Sequence, residues 1–320
     1  MKKTLYIHIG TGKTGTTTIQ HFSEDNKDKL EQIYNCHFAG MHNFSYNREC
    51  HPKRTRHRGF KIVSDSRKNL RNYIKQSNTD KFLFSSEYLP GEKIEEIENL
   101  KEMYSDLCKV KIIVYLRSQD SYIYSWFTQM VKVGHYSRTV TDQIDELYSS
   151  NLLNYEKLLE PWAGVFGTEN ILVNTFPPKE DLLQNFFKKN LDIDVNFKDL
   201  DVSFCKNGGI KAEQILFIQT LLPKLDLQNN ANIIKIIRNP FDIDFNYTKS
   251  LISPAQRKQI LSDFEKFNNN VAKKYLNRDK LFDDLSIDDE ETWEYPDIIK
   301  NGYYDLAIKY IQEKHEIHIN

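Results

Sequence analysis

Cysteine is scarce: four thiols in 320 residues, Cys36, Cys50, Cys108 and Cys205, with no CxxC pair among them. That scatter argues against a disulfide framework and matches no standard zinc spacing, although Cys36-His37, Cys50-His51 and His57 lie close enough in sequence to raise the question. Net charge is nearly absent as well, at −1, which argues against a general nucleic-acid binder with its strongly basic surface. No apolar run is long enough to span a bilayer. Lys2 and Lys3 are followed by His8 and Gly10 rather than by a signal-peptide apolar stretch, so a cytoplasmic location is expected. Low-complexity linkers and internal repeats are missing too. What is plentiful is aromatic: 18 Tyr and 19 Phe in an otherwise polar chain, as a folded domain requires.

The order of patterns predicts an α/β fold: a P-loop-like three-layer domain with a central parallel sheet and a helical C-terminal part. A β-prone run at 4–9 meets a Gly/Thr-rich turn, and a helix-compatible stretch follows from Thr16 to Ile33. KFLFSSE at 81–87 and VKIIVYLR at 110–117 read as buried parallel strands. Between them, Ile94, Ile97, Leu100 and Met103/Tyr104 fall at helical spacing over 93–107. A fourth strand is expected at 170–176, then a helix after Pro177-Pro178 reaching about Lys189. From about Lys211 the chain reads mainly as helix, including 255–276 with Ile260, Phe264, Phe267, Val271 and Tyr275 on one stripe. The acidic 279–295 segment reads as a surface connection. One domain over 1–320 is expected, with a nucleotide-binding core at 1–200 and the helical part at 201–320.

The strongest chemical signal is His8-Ile-Gly-Thr-Gly-Lys-Thr-Gly-Thr-Thr17. Glycines let the backbone curl until several N–H groups converge on one anion, and a helix N-terminus adds positive potential. Gly12, Lys13, Thr14, Gly15, Thr16 and Thr17 are therefore candidate phosphate ligands. The ATP-binding pattern G-x-x-x-x-G-K-[ST] does not fit, because its first glycine would fall at position 7, which is Ile7. Neither later strand ends in an aspartate suited to magnesium; one ends at Glu87 and the other at Arg117.

HIGTGKTGTT resembles the 5′-phosphosulfate loop of sulfotransferases that use 3′-phosphoadenosine-5′-phosphosulfate (PAPS), especially bacterial and carbohydrate-directed members. IIVYLRSQDSYIYSWFTQ at 112–129 resembles the same family's 3′-phosphate motif, with Arg117 ending a strand and Ser125 on the next helix. FNNNVAKKYLNRDKLFDD at 267–284 is similar to the ending of bacterial members. The resemblance implies PAPS as donor, no metal, and Lys13 at the leaving phosphate oxygen. It also implies a hydroxyl acceptor, a sugar of a cell-surface glycan being expected, and Glu87 as the base where small-molecule members tend to use histidine.

Rival readings accompany these. Glu87 could instead cap a helix or pair with a cation, and His37 and His42 stay open as bases. His8, inside a strand, reads as a core histidine. Arg48, Lys53, Arg54, Arg56 and Arg58 face only Glu49 in their segment and read as a solvated loop or a grip on an anionic glycan. Lys206-Asn207-Gly208-Gly209 could close over a nucleotide. Tyr122, Tyr124, Trp126 and Phe127 read as packing residues rather than adenine stackers. The alternatives for the whole chain are a divergent P-loop kinase and a non-catalytic nucleotide- or glycan-binding module. The sequence leaves oligomeric state open.

Overall fold

The structure, a computed structural model, describes residues 3–39, 69–87, 89–132, 135, 137–203, 212–221, 250–283, 285, 287, 293–300 and 302–315. Two compact units are built from interleaved segments. One comprises Met1–Arg117, Asn154–Lys206 and Lys266–Asp283; the other comprises Ser118–Leu153, Asn207–Glu265 and Asp284–Asn320.

The first unit holds a five-stranded sheet of β1 (Thr4–His8), β2 (Cys36–Phe38), β3 (Lys81–Ser85), β4 (Lys109–Arg117) and β5 (Ile171–Phe176). The order is β2-β3-β1-β4-β5, and every pairing is parallel. Parallel strands need crossovers, and α1 (Thr16–Asp25), α2 (Lys27–Tyr34), helical residues 69–76 (α3), α4 (Ile94–Tyr104) and α7 (Tyr155–Phe166) provide them. Register sets Ile7 beside Phe84 and Ile112, and His8 beside Ser85 and Ile113. The C-terminal ends of β1 and β3 therefore lie level, and β4 continues four residues further, to Arg117.

Side chains alternate across the sheet. On one face Tyr6, Leu83, Ile113 and Tyr115 pack with Ile19, Phe22 and Leu30 of the first two helices and with Phe186, Phe187 and Leu191. Phe22 meets Phe187 edge-on at 5.4 Å between ring centres. Each such buried ring contributes about 1.5–3 kcal/mol over leaving it exposed. α4 and α7 pack together and onto β4, with Trp162 and Phe166 stacked at 6.2 Å.

Several expectations are met with changed edges. The helix expected over 16–33 is two helices, because Asn26 turns its side chain inward. Its Nδ2 donates to the carbonyls of Phe22 and Asp201, and its Oδ1 accepts from the Asp201 amide. β2 has three residues, too few to show a pattern. The helix expected after the two prolines starts later, as α8 (Leu182–Gln184), where Asp181 caps it, and continues as a wider π turn over Asn185–Asn190. Cys36 and Cys108 are buried free thiols, Cys36 pushed up to about 12 by burial. Cys50 and Cys205 lie outside the described residues.

The second unit contains α5 (Gln119–Lys132), α6 (Val140–Tyr148), α9 (Ala212–Leu221), the Pro254–Val271 helix as far as Glu265, and Tyr303–His315. Its core joins Tyr122, Ile123, Phe127, Phe217, Ile218, Ile260, Tyr303 and Ile311. Tyr122 and Phe127 are thus packing residues. Asp120 anchors Arg257 at 2.9 Å, and Thr139 with Asp142 forms a reciprocal cap on α6.

A buried polar chain ties β4, β5 and the π turn together. Tyr115 donates its hydroxyl to Asn185 Oδ1 at 2.6 Å, Asn190 Nδ2 donates to the Tyr115 oxygen at 3.3 Å, and Asn174 donates to Asn190 Oδ1 at 2.8 Å. Tyr115→Phe leaves an acceptor and a donor without their partner, which costs about 1–3 kcal/mol. Denaturant unfolding of the two proteins measures it; an unchanged midpoint would mean that this chain does not hold the layer.

Candidate functional site

In open parallel sheets ligands bind beyond the C-terminal strand ends, where strand order reverses. Here that point flanks β1, since the chain runs first to β2 and β3 on one side and then crosses to β4 and β5 on the other. The glycine-rich loop emerges there. It stays stitched to β4: the Ile9 amide donates to Ile113, the Thr11 amide to Tyr115, and the Tyr115 amide to Gly10, at 2.9, 3.0 and 2.7 Å.

The loop's curl comes from three residues with positive φ, Gly10 at 100°, Lys13 at 64° and Gly15 at 79°. Gly10 has a second reason to lack a side chain, since a Cβ there would sit 3.2 Å from the Glu87 Cα. Lys13 tolerates a conformation that costs a non-glycine residue roughly 1–2 kcal/mol. Gly15 occupies the cap position of α1 and brings no side chain to the first-turn N–H groups.

Thr11, which the sequence reading passed over, organises the interior. Its hydroxyl donates to the Tyr115 carbonyl at 3.1 Å. Its own carbonyl accepts from Thr14 Oγ1 at 2.6 Å and from Thr16 Oγ1 at 3.1 Å. Thr14 and Thr16 are buried, and in this structure their hydroxyl protons hold the loop's shape. Thr17 is exposed on the first turn, Gly12 is buried, and Lys13 is partly exposed.

Arg117 ends β4 beside the loop. Its Nη1 donates to the Lys13 carbonyl at 3.1 Å, and its guanidinium lies over the Phe176 ring at 5.5 Å. The Tyr155 hydroxyl donates to the Arg117 carbonyl, pinning the strand end from α7. Ser125 lies on α5 in the second unit, where its carbonyl accepts from Thr128 at 2.9 Å.

Glu87 follows β3 by two residues and faces the same edge. Burial raises its pKa above the usual carboxylate value, and the nearby Lys13 ammonium acts in the opposite direction. Lys13, Glu87 and Arg117, far apart in sequence, thus belong to one edge of the sheet. His37 does not join them: it pairs with Phe82, in the same register row as Leu5, nearer the start of the strands. Its Nδ1 lies 2.8 Å from Glu31, so it serves a structural cluster rather than acting as a base at this edge. Burial works against the Glu31 carboxylate, but hydrogen bonds from His37, Tyr73 and Thr79 prevail and lower its pKa. His8 is a core residue, fully buried between Phe186 and Tyr115, with its pKa driven down to about 3 by burial. His42, the basic 48–61 segment and Lys206–Gly209 lie outside the described residues.

The site and fold together define the class: a parallel α/β protein with a glycine- and threonine-rich loop at the switch point of its sheet. No family model matches the sequence, and no curated protein matches it. Among solved structures, the chain is similar to a sulfotransferase from Alicyclobacillus acidocaldarius, at 14% identity and a TM-score of 0.40. That likeness covers 72% of this chain and 95% of the other.

Two expectations test the local physics. Gly15→Ala puts a Cβ 2.3 Å from Leu182 Cδ2, which can swing away, and in a left-handed backbone, which cannot change cheaply. The loss should be about 1–2 kcal/mol by denaturant unfolding. Glu87 is an acid whose folded pKa is raised. Its contribution therefore falls as pH climbs from the unfolded carboxylate value near 4.5 through the higher folded value, and is constant below both. Glu87→Gln should remove that decline from the stability–pH curve; an identical curve would mean that Glu87 is solvated.

Proposed function

We propose that this chain is a sulfotransferase that moves the sulfuryl group of PAPS to a hydroxyl, a sugar hydroxyl being the acceptor. The observation that carries the reading is the meeting of Lys13, Glu87 and Arg117 around a threonine-braced glycine loop at one sheet edge. The two motifs that resemble the family's donor-binding segments supply Lys13 and Arg117, the end of β3 supplies Glu87, and the sugar acceptor rests on the same resemblance.

In this reading the first-turn N–H groups of α1 and the backbone of the 10–15 loop hold the 5′-phosphosulfate. Arg117, fixed by the Lys13 carbonyl, offers a planar cation to the 3′-phosphate. Ser125 is assigned to the same phosphate by the motif alone. The acceptor oxygen attacks sulfur, the bond from sulfur to the 5′-phosphate oxygen breaks, and Lys13 stabilises the charge that develops on that oxygen. The acceptor proton passes to Glu87. A carboxylate whose pKa is raised by burial is a stronger base than an exposed one, which suits it to the task. Phosphosulfate near Lys13 would offset the ammonium's influence and push Glu87 further in the same direction. No protein-bound metal enters this scheme.

Calorimetric titration with 3′-phosphoadenosine 5′-phosphate (PAP) tests the reading, with ADP as control. PAP should bind well and ADP poorly, and Arg117→Ala should weaken PAP by roughly 10-fold or more, as expected for one charged hydrogen-bonding partner. Equal or better binding of ADP would remove the proposal in favour of a kinase.

A further inference from the structure

The proposed chemistry uses Glu87 but not the buried contacts behind it. Gln20 lies on α1 one turn after Thr16, and its Nε2 is 3.2 Å from the Ser85 carbonyl oxygen and 3.2 Å from Ser85 Oγ. Ser85 is 3% exposed and ends β3, two residues before Glu87. Across from Gln20, His8 Nδ1 is 2.8 Å from the same Ser85 oxygen. An amide nitrogen only donates, so Ser85 Oγ accepts from Gln20 and shares a second hydrogen bond with the imidazole. Burial keeps the ring neutral, with its pKa down to about 3 against a smaller opposing influence of the Gly10 carbonyl. The result is a hydrogen-bonded chain that links Gln20 through Ser85 to His8.

Two other contacts fix this stretch to β1. The Ser86 amide donates to the His8 carbonyl at 2.9 Å, and Gly10 leaves space for the Glu87 backbone only by lacking a Cβ. Gln20 adds what these do not: it joins the end of β3 to α1, the helix whose N-terminus follows the anion-binding loop. We propose that Gln20 is a positioning residue which, through Ser85, locks the spacing between the anion-binding helix and Glu87. The inference rests on the reading of Glu87 as the base. Its physical content is that the bridge keeps Glu87 against the protein beside Lys13. A small displacement of a reacting group can slow transfer by roughly 100-fold, so a bridge of this kind matters to rate more than to affinity.

The test uses the full chain and Gln20→Ala, with Gln20→Met as a second variant that keeps the volume but has no donor. Three readouts are taken: PAP affinity by calorimetry, turnover of PAPS with water as acceptor to PAP and sulfate, and the Glu87 carboxyl titration by carbon-13 NMR, assigned through Glu87→Gln. Lys13, whose charge acts on Glu87, is unchanged in both variants. Expected in both are PAP affinity near that of wild type, turnover slower by about 10-fold or more, and a Glu87 midpoint moved down towards the ordinary carboxylate value. A general loss of stability would not move that midpoint. An unshifted midpoint with unchanged turnover overturns the positioning role while PAP binding leaves the donor reading standing. Failure of wild type to bind PAP removes the donor reading instead, and the Glu87 titration still decides whether Gln20 holds it.

Discussion

Parallel pairing of β1 between β3 and β4 is the constraint on which the candidate site depends. In a parallel ladder all strands end on the same side, so the residues that follow them share one edge whatever their distance in sequence. Lys13, Glu87 and Arg117 follow or end three neighbouring strands. A slip of one residue in any of these strands would turn its side chains to the opposite face and break their packing against the helices on both sides. Burial on both faces prevents that slip: Leu5, Ile7, Phe82, Phe84, Ile112 and Val114 lie on one side and Tyr6, Leu83, Ile113 and Tyr115 on the other, all with little exposure.

Within that frame the loop is held by short-range bonds rather than by charge. The Thr11 carbonyl gathers the hydroxyls of Thr14 and Thr16, its amide and hydroxyl reach the Tyr115 carbonyl, and Arg117 takes the Lys13 carbonyl. A preformed loop needs little reorganisation when an anion arrives, which is how fixed dipoles stabilise charge efficiently. The electrostatics are then local and opposed. Burial raises the pKa of Glu87 while Lys13 lowers it, so a ligand that engages Lys13 also acts on Glu87.

Much of the fold was legible because buried parallel strands leave continuous apolar runs, as at 81–87 and 110–117, and because helices between them keep a 3.6-residue period. What escaped had no such period. β2 is three residues long, and Asn26 interrupts an otherwise helical pattern through bonds to Asp201, distant by 175 positions. The glycine loop announced itself by composition, but Thr11 did not, since its part is played through its carbonyl as well as its hydroxyl. Gln20 gave only a faint signal, its place four residues beyond Thr16 on the same helix. His37 could be removed from the candidate bases only after the register put it beside Phe82.

The sequence by itself determined the alternation of strand and helix, the glycine-rich turn after the first strand, and the core character of His8. Each follows from nearest-neighbour physics: hydrophobic period, glycine's backbone freedom, and the position of a residue within an apolar run. Tertiary structure alone decided which strands adjoin, and therefore that the ends of β1, β3 and β4 meet. It also decided which hydroxyls serve the loop's interior, and that burial rather than a neighbouring charge governs Glu87. Those are properties of surroundings assembled from distant segments. A side chain's pKa and hydrogen-bond partners are set by what folding brings next to it, and one-dimensional spacing does not encode that.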